Sequence, residues 1–245
     1  MNLWSYELGS EKKFLDYHYS SINDKEFTFS QIYHTIDKRT EYKDENDGYS
    51  IELESLNDED LFAKVLNSRR SYADSLMTDV KIEEQLISEF CHLAFLGKKK
   101  TFRNYPSGGG LYNLNIFLIF NPKRVDRKLI SNGNIGYLNA ELKKIICYDR
   151  KNWENEVREG FIQKYLFDSA QFAIILASNM EEVSTKYSDI SYKLLQQEAG
   201  HIGQNIQLVA TYLNLKTAPL QGYYDLKLAN LVGIDQTVLY SFLVG

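Results

Sequence analysis

Along residues 191–215, apolar side chains recur at the spacing of one helical face. They are Leu195, Ile202, Ile206, Val209 and Leu213, with the small residues Ala199, Gly200 and Gly203 set among them. Each glycine inside a helix costs about 1 kcal/mol against alanine, so the pattern predicts a long helix closely approached by another element or by a planar ligand. A second apolar face, Ile82, Leu86, Phe90 and Leu93, predicts a helix starting near Thr78 or Asp79 and stopping at Gly97. Asn57 or Asp58 is placed to cap a helix carrying Leu61, Val65 and Leu66, and Val157, Phe161 and Tyr165 mark another. Short apolar runs predict buried strands at 114–120 and 171–178, a strand pair within 135–148 and a closing strand at 237–244. Asp225 is read as the cap of a short helix ending at Gly233. Residues 1–56 show no sustained period, and 41–60 is acid-rich with an Asn46-Asp47-Gly48 turn signal. The chain is expected to divide into an N-terminal appendage, 1–56, and one folded domain, 57–245.

Composition sets limits. A chain of 245 residues with 44% hydrophobic content can bury a sizeable single core. The net charge is -5, and the one basic run, Lys98-Lys99-Lys100, suits the C-terminal end of the preceding helix. No nucleic-acid-binding face is implied. Apolar runs are too short to span a membrane, and residues 1–5 lack the charged and apolar regions of a signal peptide. Cys91 and Cys147 stand far apart, and neither they nor His18, His34 and His92 have metal-ligand spacing. The expectation is two free, buried thiols in a cytoplasmic protein without a metal.

Several local patterns could carry chemistry. Arg69-Arg70-Ser71 could grip an anion with two guanidinium forks and a hydroxyl, although a bare Arg pair is commonly a solvated surface feature. Pro106-Ser107-Gly108-Gly109-Gly110 would let backbone N–H groups approach a flat ligand, or is an ordinary turn. It fits neither the dinucleotide fingerprint nor a phosphate loop. Lysine and tyrosine are both weak bases at neutral pH, but an ammonium beside a phenol favours the phenolate, so the dipeptide Lys186-Tyr187 could manage a proton. Gln221-Gly222 lies in a turn that Asp225 could cap. His201, among apolar helix neighbours, reads as a hydrogen-bonded structural residue.

In their order along the chain, these segments resemble the nitroreductase-like FMN flavoproteins, and more narrowly the SagB-type azoline dehydrogenases. The resemblance is carried by Arg69-Arg70-Ser71 and by Arg103-Asn104-Tyr105-Pro106-Ser107-Gly108-Gly109-Gly110-Leu111-Tyr112. It continues in Lys186-Tyr187 ahead of Gly200-His201-Ile202-Gly203-Gln204-Asn205, and in Pro219-Leu220-Gln221-Gly222-Tyr223-Tyr224-Asp225. It covers 57–245 and implies an α+β fold, a mixed central β-sheet wrapped by helices, in an intertwined homodimer with FMN at the interface. It implies that Arg69, Arg70 and Ser71 hold the FMN phosphate and that Arg103, Pro106, Ser107, Gly108 and Gly109 lie along the flavin. The backbone at Gln221 and Gly222 would meet N5, the Asn205 amide would reach the flavin edge or the dimer interface, and Lys186 and Tyr187 would transfer the proton.

The implied activity is oxidation of thiazoline or oxazoline rings to thiazole or oxazole in a ribosomally made peptide. The partners would be that precursor peptide and a YcaO-type cyclodehydratase. Two other activities suit the same resemblance: an NAD(P)H-dependent reductase of dehydroalanine or nitro groups, and an inactive scaffold subunit of a peptide-modifying complex. Two departures stand out. Residues 188–193 lack the arginines that often follow the family's Lys-Tyr pair, and Gln221 replaces a glutamate, a change that a backbone contact survives.

Overall fold

The computed structural model describes residues 16–18, 51–53, 59–98 and 102–245. Helix α1 (Leu61–Ser68) begins at Asp60, whose carboxylate accepts the N–H groups of Phe62 and Ala63 at 2.9 and 3.1 Å. Asp60 is thus the cap, and the expected caps Asn57 and Asp58 lie outside the described residues. Helix α2 (Glu84–Ala94) buries Ile87, Phe90, Cys91 and Ala94. The expected face is shifted: Ile82 precedes the helix in a parallel bridge with Val125, and Leu93 is exposed. Gly97 is not the helix stop. The chain leaves the helix at Phe95, and the Gly97 N–H reaches the Phe102 carbonyl where the chain turns back.

Six strands form one sheet: β1 (Asn115–Phe120), β2 (Ile135–Asn139), β3 (Lys144–Asp149), β4 (Phe172–Ser178), β5 (Thr217–Leu220) and β6 (Thr237–Val244). Their order is β3-β2-β1-β4-β6-β5. Every pairing is antiparallel, where a mixed sheet was expected. The β2–β3 hairpin inserted between β1 and β4 sends β4 back against β1, and β6 then opposes both its neighbours. β5 was not foreseen. It holds Pro219, which an edge strand tolerates because one side of it needs no ladder bond.

All seven residues of β4 are buried, so the strand reads as a continuous apolar run. Phe172, Ile174 and Leu176 face α2 and the long helix α5 (Ile190–Tyr212). Ala173, Ile175 and Ala177 face Trp153, Val157, Phe161, Phe167 and helix α6 (Asp225–Val232). Residues 153–167 do not form the single helix expected from Val157, Phe161 and Tyr165. They break into a π-type turn (Trp153–Val157), a 3-10 turn (Arg158–Gly160) and the short α3 (Lys164–Phe167). Phe161 bridges to Tyr223 instead, and Tyr165 faces solvent. Helix α6 starts at Asp225 with Tyr224 as its cap and ends at a left-handed Gly233.

Of the 1–56 segment, Tyr17 and His18 pack on Tyr192 near the start of α5, with ring centroids 5.6 and 5.9 Å apart. Cys91 is buried, and burial pushes its thiol up to about 12; Cys147 is half-buried. Among the described residues no helix is long and apolar enough to cross a membrane.

The close approach expected along α5 occurs at Gly203. A Cβ there would stand 2.8 Å from Phe242 Cζ and 3.1 Å from Tyr240 Cε1, two rings of β6. Gly203→Leu is therefore expected to destabilise the fold by about 1–3 kcal/mol through overpacking. A fall in the denaturant midpoint at unchanged slope would register this.

Candidate functional site

Asn179 caps helix α4 (Met180–Tyr187) by accepting the N–H groups of Glu181 and Glu182. This helix, unforeseen from the sequence, carries Lys186 and Tyr187 in its last turn, and Ser188 at φ 51° turns the chain into α5. Lys186 Nζ stands 5.2 Å from the centroid of the Tyr187 ring. The pair faces the glycine loop. Gly109 adopts φ 64°, and a Cβ on it would collide with the Tyr187 hydroxyl and lie 3.5 Å from Lys186 Nζ. Gly108 packs on Leu194, a Cβ there lying 3.4 Å from its methyl groups. The candidate proton-transfer pair and the candidate ligand loop are thus one site.

The loop is fastened to α5. The Ser107 hydroxyl donates to Glu198 Oε2 at 2.5 Å and accepts the Tyr112 N–H at 2.9 Å. The Gly110 N–H donates to the Ser107 carbonyl at 3.0 Å. Asn205 Nδ2 donates to the Asn104 carbonyl at 2.7 Å and to the Ala94 carbonyl at 3.1 Å. Its amide nitrogen therefore ties the start of the loop to two helices. Arg103 lies over the Tyr112 ring at 5.3 Å, and Tyr105 meets the same ring edge-on at 5.7 Å. Pro106 sits between Tyr105 and Ser107, among these anchored residues.

Arg69 and Ser71 form a second group. Arg69 Nη1 and the Ser71 hydroxyl both donate to Gln207 Oε1, at 2.9 and 3.0 Å. Arg70 instead turns back on the carbonyls of Asn67 and Arg69. Among the described residues neither guanidinium has a carboxylate partner. Gln207 lies on α5 about 20 Å from Leu194 by helical rise, so one helix carries both groups. Gln221 and Gly222 form a third. The Gly222 carbonyl accepts the Ile162 N–H at 2.8 Å, and a Cβ on Gly222 would strike the Gln163 amide. Gln163 Oε1 is buried without a partner.

His201, read as a hydrogen-bonded structural residue among apolar neighbours, is exposed on α5. Glu198 and Gln207 were missed. Glu198 is 4% exposed, and its Oε1 has no hydrogen-bond partner. Burial pushes its carboxyl up, while Ser107 and the Leu114 N–H pull it the other way. A signal existed, because Glu198 falls on the same face as Leu195, Ala199 and Ile202, where a carboxylate has no reason to be buried unless it is bonded.

The family model described as the nitroreductase family matches residues 66–245. A Methanocaldococcus jannaschii protein named as an inferred nitroreductase, MJ1384, is 25% identical over 198 residues, covering 79% of this chain and 93% of its own. The Escherichia coli microcin B17-processing protein McbC is 25% identical over 144 residues; this match spans 58% of the chain and about half, 52%, of McbC. The E. coli microcin synthetase McbBCD complex with truncated pro-MccB17 bound superposes with a TM-score of 0.74 at 19% identity, covering 96% of this chain and 94% of that one. A nitroreductase-type protein of Exiguobacterium sibiricum in complex with FMN matches at TM-score 0.50 and 12% identity, over 75% of this chain and 87% of that one.

Proposed function

The chain belongs to the nitroreductase family, and from that premise we propose that it is an FMN-dependent azoline dehydrogenase that turns thiazoline or oxazoline rings of a ribosomally made peptide into thiazole or oxazole. The observation that carries this reading is the meeting of Lys186, Tyr187 and the side-chain-free backbone at Gly109. Its likeness to McbC and to the peptide-bound McbBCD complex supports a peptide substrate and a cyclodehydratase partner of the YcaO type.

The residues present fit FMN. Arg69 and Ser71, which share Gln207 and have no carboxylate partner among the described residues, suit a phosphate. Gly108 and Gly109, with Pro106, Ser107 and Arg103 beside them, suit the close approach of a flat ring, and the Gln221-Gly222 backbone offers a further contact. Bound FMN would supply a two-electron acceptor for the hydride that leaves the ring carbon. The chain's own part is the proton: Lys186 and Tyr187, side by side at the loop, would together take it from the acidic α-carbon. Two FMN sites at the interface of a homodimer are part of the proposal. Helix α1, just before Arg69, leaves Leu61 and Phe62 61% and 66% exposed, apolar surface that a second subunit would cover.

The test is mass spectrometry of a cyclised precursor peptide incubated with the FMN-loaded protein. Loss of two hydrogens per ring supports the dehydrogenase. A gain of two hydrogens on a dehydrated peptide or a nitro compound with NAD(P)H would make it a reductase. A protein that takes up no FMN would be a scaffold. Within that assay, Arg69→Ala is expected to weaken FMN binding at least tenfold, from the loss of a charge-assisted bond of about 1.5–3 kcal/mol. Arg70→Ala should lose less, since its guanidinium bonds its own backbone. Titrating the apoprotein by flavin fluorescence reads both.

A further inference from the structure

We propose that Glu198 is a positioning residue for the Ser107–Gly110 loop, fixing through Ser107 the backbone that meets Tyr187 and, on the reading above, the flavin. Glu198 is a carboxyl on the buried face of α5, with one oxygen on the Ser107 hydroxyl. That bond uses the only proton of the Ser107 hydroxyl. Its lone pairs are then left to accept, and they accept the Tyr112 N–H at the far end of the turn. One hydroxyl therefore joins α5 to both ends of the glycine loop. Asn205 repeats the attachment two helical turns later by holding the Asn104 carbonyl. The three glycines have little conformational preference of their own, so the loop's course is set by these two straps.

The second Glu198 oxygen is buried and makes no hydrogen bond of good geometry, the Leu114 N–H giving the carboxyl only a looser backbone contact, so the site is costly to keep in an interior. A core that needed only packing would have an apolar residue here. The Glu198 carboxyl meets the Ser107 hydroxyl and the Leu114 N–H, and its charge, after burial, helps push up the Tyr105 phenol, which Arg103 pulls the other way. Lys186 and Tyr187 lie on the other side of the loop, at Gly109.

Three variants, Glu198→Ala, Glu198→Gln and Ser107→Ala, test this with two measurements. The first is hydrogen exchange of the Tyr112 amide, which needs no flavin. The amide is expected to exchange at least tenfold faster in Glu198→Ala and Ser107→Ala, while α5 amides and the circular dichroism stay unchanged. Glu198→Gln keeps an acceptor for Ser107 and should restore most of the protection. The second is FMN affinity, which should fall at least tenfold in the same two variants and recover in Glu198→Gln. The double variant should be no worse than either single one, since both remove the same strap.

Unchanged Tyr112 exchange overturns the inference whether or not flavin binds, and faster exchange with unchanged FMN affinity overturns the link to the flavin. A wild-type protein that binds no FMN, yet shows the exchange effect, would instead sink the flavin reading and leave the strap standing. If Glu198→Ala does not fold, Ser107→Ala and Glu198→Gln carry the same comparison. A pH series adds an independent arm. Because the folded carboxyl is raised above its unfolded value, the folded form holds its proton more tightly. Wild-type stability should fall as pH rises from the ordinary glutamate range through the raised value. Glu198→Gln should lose that slope, and an identical slope in both proteins would count against a buried, ionising Glu198.

Discussion

Lys186→Ala and Tyr187→Phe are each expected to slow azoline oxidation by about 10²- to 10⁴-fold, the usual contribution of a general base, while leaving FMN bound. The two halves of the reaction need different groups. Hydride departs toward the acceptor on one face of the ring, so the proton must be removed from elsewhere by a side chain. Tyr187 Oη, against Gly109, is where such a side chain would stand, with Lys186 Nζ 5.2 Å from the centroid of its ring. Neither residue belongs to the Arg69–Ser71–Gln207 group, so phosphate binding should survive both changes. The measurement is the rate of loss of two hydrogens from a cyclised peptide, alongside flavin absorbance of the same sample. Wild-type rates in both variants would remove the pair from the mechanism. Loss of flavin colour together with activity would make them binding residues instead.

Gly109→Ala should cost nearly as much, although it removes no functional group. The residue adopts φ 64°, a region that costs a side-chain-bearing residue about 1–2 kcal/mol. The new methyl would also strike the Tyr187 hydroxyl. The hydroxyl is the end of a mobile side chain, so it would move aside, and a shift of about 1 Å at a reacting group can cost 10²-fold. A rate loss of that order is expected, with stability lowered by no more than the backbone cost. The double variant Gly109→Ala, Tyr187→Phe discriminates the cause. With the hydroxyl gone the nearest atom to the methyl is the ring Cζ at 3.3 Å, a contact that a small tilt of the ring relieves, so the pair should be little slower than Tyr187→Phe alone. Additive losses would show that the loop itself, not the tyrosine, had been disturbed.

Much of the frame was legible in the sequence because burial leaves a periodic trace. The strand at 237–244 and the strand pair within 135–148 appear where their apolar runs lie. The long helix departs from its expected span by only a few residues at its ends. What failed to show had a local reason. Val157 and Phe161 are both buried but belong to different turns, so a four-residue spacing there was coincidence and Gly160 marked the break. The face of α2 was mis-phased because Ile82, an apolar residue two places before the helix, belongs to a bridge instead. β5 was hidden by Pro219, which argues against a strand until the strand is known to be an edge. At the site, Lys186-Tyr187 and the glycine loop carried motif information, but their contact depends on α4, a helix with a weak apolar pattern and a readable Asn179 cap. Glu198 did leave a trace, an acid within an apolar stripe, but its meaning rests on its partner Ser107, 91 residues away across the loop.

The antiparallel order that centres on β4 also governs how the chain must find its fold. Ile119 pairs with Ala173, and Phe172 with Val244. Each of these closes a loop of about 50 to 70 residues before any ladder bond is gained, whereas the β2–β3 hairpin closes at once. Until both neighbours arrive, Phe-Ala-Ile-Ile-Leu-Ala is an apolar strand with two open edges. Such a segment invites pairing between chains. Refolding from denaturant is therefore expected to be slow, set by non-local closure, and its yield to fall as protein concentration rises, since β4 of one molecule can then meet β4 of another.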